Sequence, residues 1–170
     1  FQIVDIVNTF RPLTKLSLQI VSGATIPTLV RDAFRIATQE RPGPVLLELP
    51  EDIAGEETAP VELVHPHPIE IPIAHAAALD RAADMILKAQ RPLIMLGAAA
   101  SRPRSTAGIG DFVRRTKIPF FTTQMGKGTV SGGTNQYMGT AALSERDYVH
   151  EAIDRADLII AIGHDTIEKP

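Results

Sequence analysis

The sequence has no cysteine. Disulfides, thiolate metal ligands and a cysteine nucleophile are therefore excluded, and the absence agrees with a cytoplasmic protein. Positive charge is not in excess: 17 Lys and Arg against 20 Asp and Glu give a formal net charge of −3. Nucleic-acid binders carry basic surfaces, so no nucleic-acid partner is expected. No apolar run approaches the roughly 20 residues of a membrane-spanning helix, and no secretory leader opens the chain, so no membrane partner is expected. A P-loop, a G-x-G-x-x-G turn and a Ser/His/Asp nucleophile set are all missing. His65 and His67 stand one residue apart with no third ligand at recognisable spacing, so no metal site is expected. The acids do not cluster: Glu56 and Glu57 read as solvated surface, and Asp80 and Asp84 share an exposed helix face.

What remains is ordinary globular composition, with 44% hydrophobic and 22% charged residues in 170. That length suits one domain, or a domain with part of another. The chain opens on Phe1, in a segment with neither cap nor tail, and reads as an internal piece of something longer.

Ile26, Leu29, Val30, Ala33, Phe34 and Ala37 recur at helical spacing and form one apolar stripe. Arg41-Pro42-Gly43-Pro44 stops that helix, since proline cannot continue it. Val45 to Leu49 is a short apolar run that suits a strand buried on both faces of a parallel sheet. Lys15 to Val21 precedes the helix as a second candidate strand. Pro50, Pro60, Pro66, Pro68 and Pro72 then lie among acids and histidines. Proline fixes φ and removes a donor, so residues 56–75 are expected to form an extended linker.

Beyond it, helical stripes alternate with apolar strands. Leu79, Ala82, Ala83, Ile86 and Leu87 predict a helix, and Pro92 to Gly97 a strand. Ile109, Phe112 and Val113 predict a second helix, with Ser105 or Thr106 as its cap, and Pro119 to Thr123 a second strand. Tyr148, Val149, Ala152 and Ile153 predict a third helix, capped by Ser144 with Asp147 in its first turn. Asp157 to Gly163 is the third strand. The pattern predicts an α/β fold: a doubly wound parallel sheet, Rossmann-like, preceded by a partial α/β domain. The expected divisions are residues 1–55, the linker 56–75, and a C-terminally incomplete domain 76–170.

In such sheets ligands bind outside the carboxyl ends of the strands. The candidate positions are Gly97, Ala98 and Ala99 after the first strand, Gln124, Met125 and Gly126 after the second, and Gly163 and His164 after the third. Small residues let a cofactor approach the backbone, whose N–H groups hold phosphates. They also make tight strand exits, and spacing alone leaves both open. Arg102 and Arg104 suit either an anion or a solvated turn.

Several segments together resemble one family. Phe1-Gln2 with Asp5-Ile6-Val7, Arg11-Pro12 with Thr14-Lys15, Ala33-Phe34 with Ile36-Ala37, Arg41 to Leu46, and Leu49-Pro50 with Asp52 resemble, in order, the end of the first domain of acetolactate synthases. These belong to the thiamine-diphosphate-dependent enzymes. Pro92 to Gly97, Met125-Gly126-Lys127-Gly128, Met138-Gly139 and Ala156 to Gly163 resemble their central domain. The resemblance implies that residues 1–55 end the domain that holds the cofactor's pyrimidine ring. It places Phe1 and Gln2 beside the active site, with Gln2 able to hydrogen-bond substrate. It makes the segments at Gly97 and at Gln124 to Gly128 the lining of an FAD site where FAD is bound.

The implied chemistry is decarboxylation of pyruvate and condensation of the resulting enamine with a second 2-keto acid, in branched-chain amino acid biosynthesis. Thiamine diphosphate and Mg²⁺ serve the full-length enzyme, as a homodimer or homotetramer. The family's activating glutamate and its GDG…N motif are not found here, so this fragment is expected to be inactive alone. Two alternatives stay open. One is another thiamine-diphosphate enzyme: a 2-keto-acid decarboxylase, an oxidase or an oxalyl-CoA-decarboxylase-like enzyme. The other is a non-catalytic nucleotide-binding domain.

Overall fold

A computed structural model describes residues 3–60, 62, 65, 70–141 and 145–168. Phe1, Gln2, His67 and Ser144 lie outside the described residues. The chain divides into two compact units, Phe1–Pro72 and Ile73–Pro170.

The first unit begins with helix α1 (Ile6–Phe10), whose N-cap Asp5 accepts a hydrogen bond from the Asn8 amide at 3.0 Å. Strand β1 (Leu16–Gln19), helix α2 (Ile26–Thr38) and strand β2 (Val45–Glu48) form one βαβ unit. The two strands run parallel, in register from Leu16 beside Val45 to Gln19 beside Glu48. The Lys15 ammonium donates to the Ile36 and Gln39 carbonyls and so closes the C-terminal end of α2. The short helix α3 (Glu51–Ala54) follows.

Two expectations fail in this unit. No residue of β2 is fully buried; in a sheet of two strands both are edges, so neither is enclosed between neighbours. Phe34, on the predicted apolar stripe, is 68% exposed, so part of that stripe has no cover among the described residues. Glu56 is exposed, as expected, and its carboxylate also accepts the Gly23 amide at 2.7 Å, at the turn leading into α2. From Glu56 to His75 the described residues carry neither helix nor strand.

The second unit has helix α4 (Ala76–Lys88), strand β3 (Pro92–Leu96), helix α5 (Pro103–Thr116) and strand β4 (Phe120–Thr122). Strand β5 (Tyr137–Thr140), helix α6 (Tyr148–Arg155) and strand β6 (Leu158–Ile162) complete it. The sheet order is β5-β4-β3-β6 and every pairing is parallel. The chain winds outward from β3 through β4 to β5, then returns to place β6 on the other side of β3. That reversal makes the crevice between the exits of β3 and β6 the topological switch point.

Side chains alternate across the sheet. Ile94, Leu96 and Phe120 face Ile109 and Val113 of α5, whereas Leu93 and Phe121 face Val149 of α6. Helices thus cover both faces, as the alternating pattern predicts. Ile94, Leu96 and Phe120 are wholly enclosed; burial of each contributes about 1.5–3 kcal/mol. The Phe120 and Tyr137 rings pack at 5.2 Å across β4 and β5.

Four local expectations need correction. Strand β5 lies where the sequence pattern predicts no element. Helix α5 takes neither Ser105 nor Thr106 as cap: it starts at Pro103, whose fixed φ suits a first helical turn, with no side-chain cap. Helix α6 is capped by Asp147, whose carboxylate accepts from the Val149 and His150 amides at 2.9 and 3.1 Å. Aspartate satisfies the free amides of a first turn, so Asp147 is the cap rather than a first-turn residue. On α4, Ile86 packs against the core, whereas Leu79 and Leu87 are exposed; no described element of this unit covers that side of the helix.

Candidate functional site

The carboxyl ends of β3, β4 and β6 bring three short segments together. Gly97 follows β3 and is buried. Its amide donates to the Ile162 carbonyl at 2.9 Å, and the Ala99 amide donates to the Gly163 carbonyl at 3.0 Å. These bonds stitch the exits of β3 and β6 to each other. A β-carbon on Gly97 would stand 2.5 Å from the His164 Cα, and one on Gly163 would stand 2.2 Å from the Ala100 amide nitrogen. Gly163 also has φ +64°, a conformation glycine adopts without steric cost. The two glycines allow backbone to lie against backbone.

The β4 exit is wound as tightly. The Thr123 amide donates to the Leu96 carbonyl at 2.9 Å, and the Gly126 amide donates to the Thr123 hydroxyl at 3.1 Å. The Thr129 hydroxyl returns a bond to the Gly126 carbonyl at 2.7 Å. Thr123, Gly126 and Thr129 are buried, while Gln124 and Met125 point outward, Met125 being 65% exposed.

Glu168 lies over these exits and was not singled out in the sequence. Its carboxylate accepts from the Ala98 amide at 3.0 and 3.2 Å, from the Asp165 amide at 3.1 Å and from the Thr123 hydroxyl. Burial pushes this carboxyl up. The bonds from Thr123, Ala98 and Asp165, with His164 close by, outweigh burial and hold it below its ordinary value. His164 turns its Nε2 into a place with neither solvent nor a hydrogen-bond partner.

The structure therefore brings Gly97, Ala98, Ala99, Gly126, Gly163 and His164 together at the switch point, and leaves Gln124 and Met125 at its outer margin. Phe1 and Gln2 lie outside the described residues. The amides of Gly97, Ala98, Ala99, Gly126 and Asp165 all have acceptors within the chain.

Elsewhere, a shallow cleft beside α6 is lined by Asp147, His150, Glu151 and Asp154. Its groups already serve the helix: His150 Nδ1 lies 2.8 Å from the capping Asp147 carboxylate, and Glu151 pairs with Arg155 at 2.5 Å. Among the described residues, no three His, Asp or Glu side chains converge to hold a metal ion. No helix among them is long and apolar enough to cross a membrane.

The profile of the thiamine pyrophosphate enzyme central domain matches residues 79–169. Similar proteins extend the likeness through both units. The chain is 31% identical to the probable acetolactate synthase large subunit of Methanocaldococcus jannaschii over 169 residues, covering 96% of this chain and 29% of that protein. It is 34% identical to the acetolactate synthase large subunit of Parasynechococcus marenigrum over 170 residues, 96% of this chain and 27% of that protein. It is 28% identical to the glyoxylate carboligase of Escherichia coli O157:H7 over 166 residues, 96% of this chain and 28% of that protein. The chain thus spans less than a third of the length of the curated relatives it matches.

Proposed function

The chain belongs to the thiamine pyrophosphate enzymes through their central domain, and from that premise we propose that it is part of an acetolactate-synthase-type carboligase. The complete enzyme would release carbon dioxide from pyruvate and join the remaining two-carbon unit to a second 2-keto acid. One observation carries this reading: the likeness to acetolactate synthases runs through both units, covering 96% of the chain.

Within that enzyme, residues 1–55 would end the pyrimidine-binding domain, residues 56–75 would link it onward, and residues 76–170 would supply most of the central domain. Phe1 and Gln2 would lie beside the reacting centre. Thiamine diphosphate, when bound, supplies the carbanion chemistry, and the protein supplies orientation and charge. The described residues present no carboxylate set for Mg²⁺, so the metal and the diphosphate would be held by parts of the longer protein. The second unit's own contribution would be a packed support: an apolar core on both faces of the sheet, with its strand tips sealed by the protein's own hydrogen bonds. A cytoplasmic homodimer or homotetramer is the proposed setting.

The test is to assay the longest reading frame containing these residues with thiamine diphosphate and Mg²⁺. Acetolactate formed from pyruvate supports the proposal. The likeness to a glyoxylate carboligase favours a second reading, in which carbon dioxide is released from glyoxylate and not from pyruvate. Turnover of neither acid would remove the carboligase reading.

A further inference from the structure

A dinucleotide seated on a doubly wound sheet places its diphosphate at the switch point, on free backbone amides, against glycines that leave room for it. In this chain the amides of the β3 exit are already occupied by the protein itself. The Gly97 and Ala99 amides are taken by the Ile162 and Gly163 carbonyls. The Ala98 amide, the remaining donor of that exit turn, is taken by Glu168. A β-carbon on Gly97 would meet the backbone of Gly163 and His164, and one on Gly126 the Leu96 carbonyl, so both glycines serve the packing of backbone against backbone.

We propose that Glu168 closes the switch-point crevice to the diphosphate of a flavin dinucleotide, so that this protein keeps the flavin-type central fold without FAD. The carboxylate presents an anion where the diphosphate would bring its own, and like charges at close range repel. Displacing it would strip acceptors from the Ala98 and Asp165 amides and the Thr123 hydroxyl at once. Hydrogen bonds to an ionised acceptor are the stronger kind, so Glu168 is well held. Among the described residues, His164 and Asp165 on its own loop are the titratable groups in contact with it; the exits of β3 and β4 present the Ala98 amide and the Thr123 hydroxyl. The inference concerns this chain's own residues and stands whichever keto acid the longer protein uses.

The experiment titrates FAD into the protein of the longest reading frame containing these residues, as wild type, Glu168→Ala and Glu168→Gln, and reads binding by flavin anisotropy and equilibrium dialysis. The expected result is no detectable binding by wild type, saturable binding by Glu168→Ala at an affinity at least about tenfold above the detection limit, and weaker binding by Glu168→Gln, which keeps the shape and loses the charge. Binding by wild type overturns the proposal. So does a failure of all three to bind, because something other than Glu168 would then close the crevice. Should the variants fail to fold, amide NMR of wild type decides. The Ala98 amide resonance is expected to follow the titration of the Glu168 carboxyl; an Ala98 resonance indifferent to that titration means the carboxylate is not seated there, and overturns the proposal.

Discussion

Gly126 faces the carbonyl of Leu96 so closely that a β-carbon would stand 2.0 Å from its oxygen. Both partners are backbone, and the Leu96 carbonyl is fixed as the acceptor of the Thr123 amide at 2.9 Å. No side chain can swing aside to make room. Gly126→Ala is therefore expected to destabilise the second unit by about 3 kcal/mol, the upper part of the usual cost of overpacking. Gly128→Ala serves as the control: it has φ +91° but nothing within 4 Å of its β-carbon position. It should cost less, about 1 kcal/mol for the left-handed backbone alone. Urea unfolding midpoints of the two variants, measured at constant slope, check the order.

The Thr123 side chain joins the β4 exit to the loop after β6. Its hydroxyl accepts from the Gly126 amide at 3.1 Å and donates to Glu168, and the residue is fully buried. Thr123→Val keeps the shape and deletes both bonds, leaving the half-buried Glu168 carboxylate one donor short. A loss of about 1–3 kcal/mol is expected for the unmet groups. Thr123→Ser retains the hydroxyl and should recover most of that loss. Equal losses for valine and serine would mean that the methyl packing, not the hydrogen bonds, holds the exit together.

The strands that were legible in the sequence share one property. In the second unit this is an apolar run next to a helical stripe: at Leu93 to Leu96 the run marks a strand enclosed in the sheet, whereas at Leu158 to Ile162 it marks an edge strand with alternate residues exposed. Strand β5 has no such run. Its four residues, Tyr137-Met138-Gly139-Thr140, include a glycine at φ +120° and a threonine that shares hydrogen bonds with Thr122 and Tyr137. The pairing slips between Phe120 and Thr122, with Phe120 beside Tyr137 and Thr122 beside Thr140. Strict alternation is therefore broken where it would have been sought.

The candidate site divides in the same way. Gly97, Gly126 and Gly163 are visible as glycines at strand ends, but whether they face a ligand or another stretch of backbone depends on contacts dozens of residues apart. Glu168 meets the Ala98 amide across 70 positions. An acid in a loop has the same local signature whether it is solvated or folded back.

Lys15 shows a motif position acting structurally. Its ammonium donates to the Gln39 carbonyl at 2.9 Å and to that of Ile36, where α2 ends and its carbonyls lack helical partners. A cation there also opposes the helix dipole. Lys15→Met retains the stem and removes the charge, and is expected to cost about 0.5–1 kcal/mol. Hydrogen exchange locates the effect: the amides of the last turn of α2 should lose protection, while those of β3 and β4 in the other unit keep theirs.

Asp157 ties the start of β6 to the turn before β3, accepting the Gln90 amide at 2.7 Å on one oxygen and the Arg91 amide at 2.9 Å on the other. Those two bonds, Gln90 first and Arg91 next, hold its carboxyl below the ordinary aspartate value. A carboxyl with a depressed pKa in the folded state binds its proton more readily when unfolded. Its contribution is therefore complete above the unfolded value of about 3.9 and disappears as the pH falls through the lower folded value. Asp157→Asn cannot ionise. The wild type should accordingly be more stable than this variant at neutral pH, and the gap should close on acidification through that window. Thermal unfolding of both proteins across a pH series reads the gap. A constant gap down to the lowest pH at which both remain folded would mean that hydrogen-bond geometry, rather than charge, carries the effect. A gap that widens on acidification would contradict the depressed pKa itself.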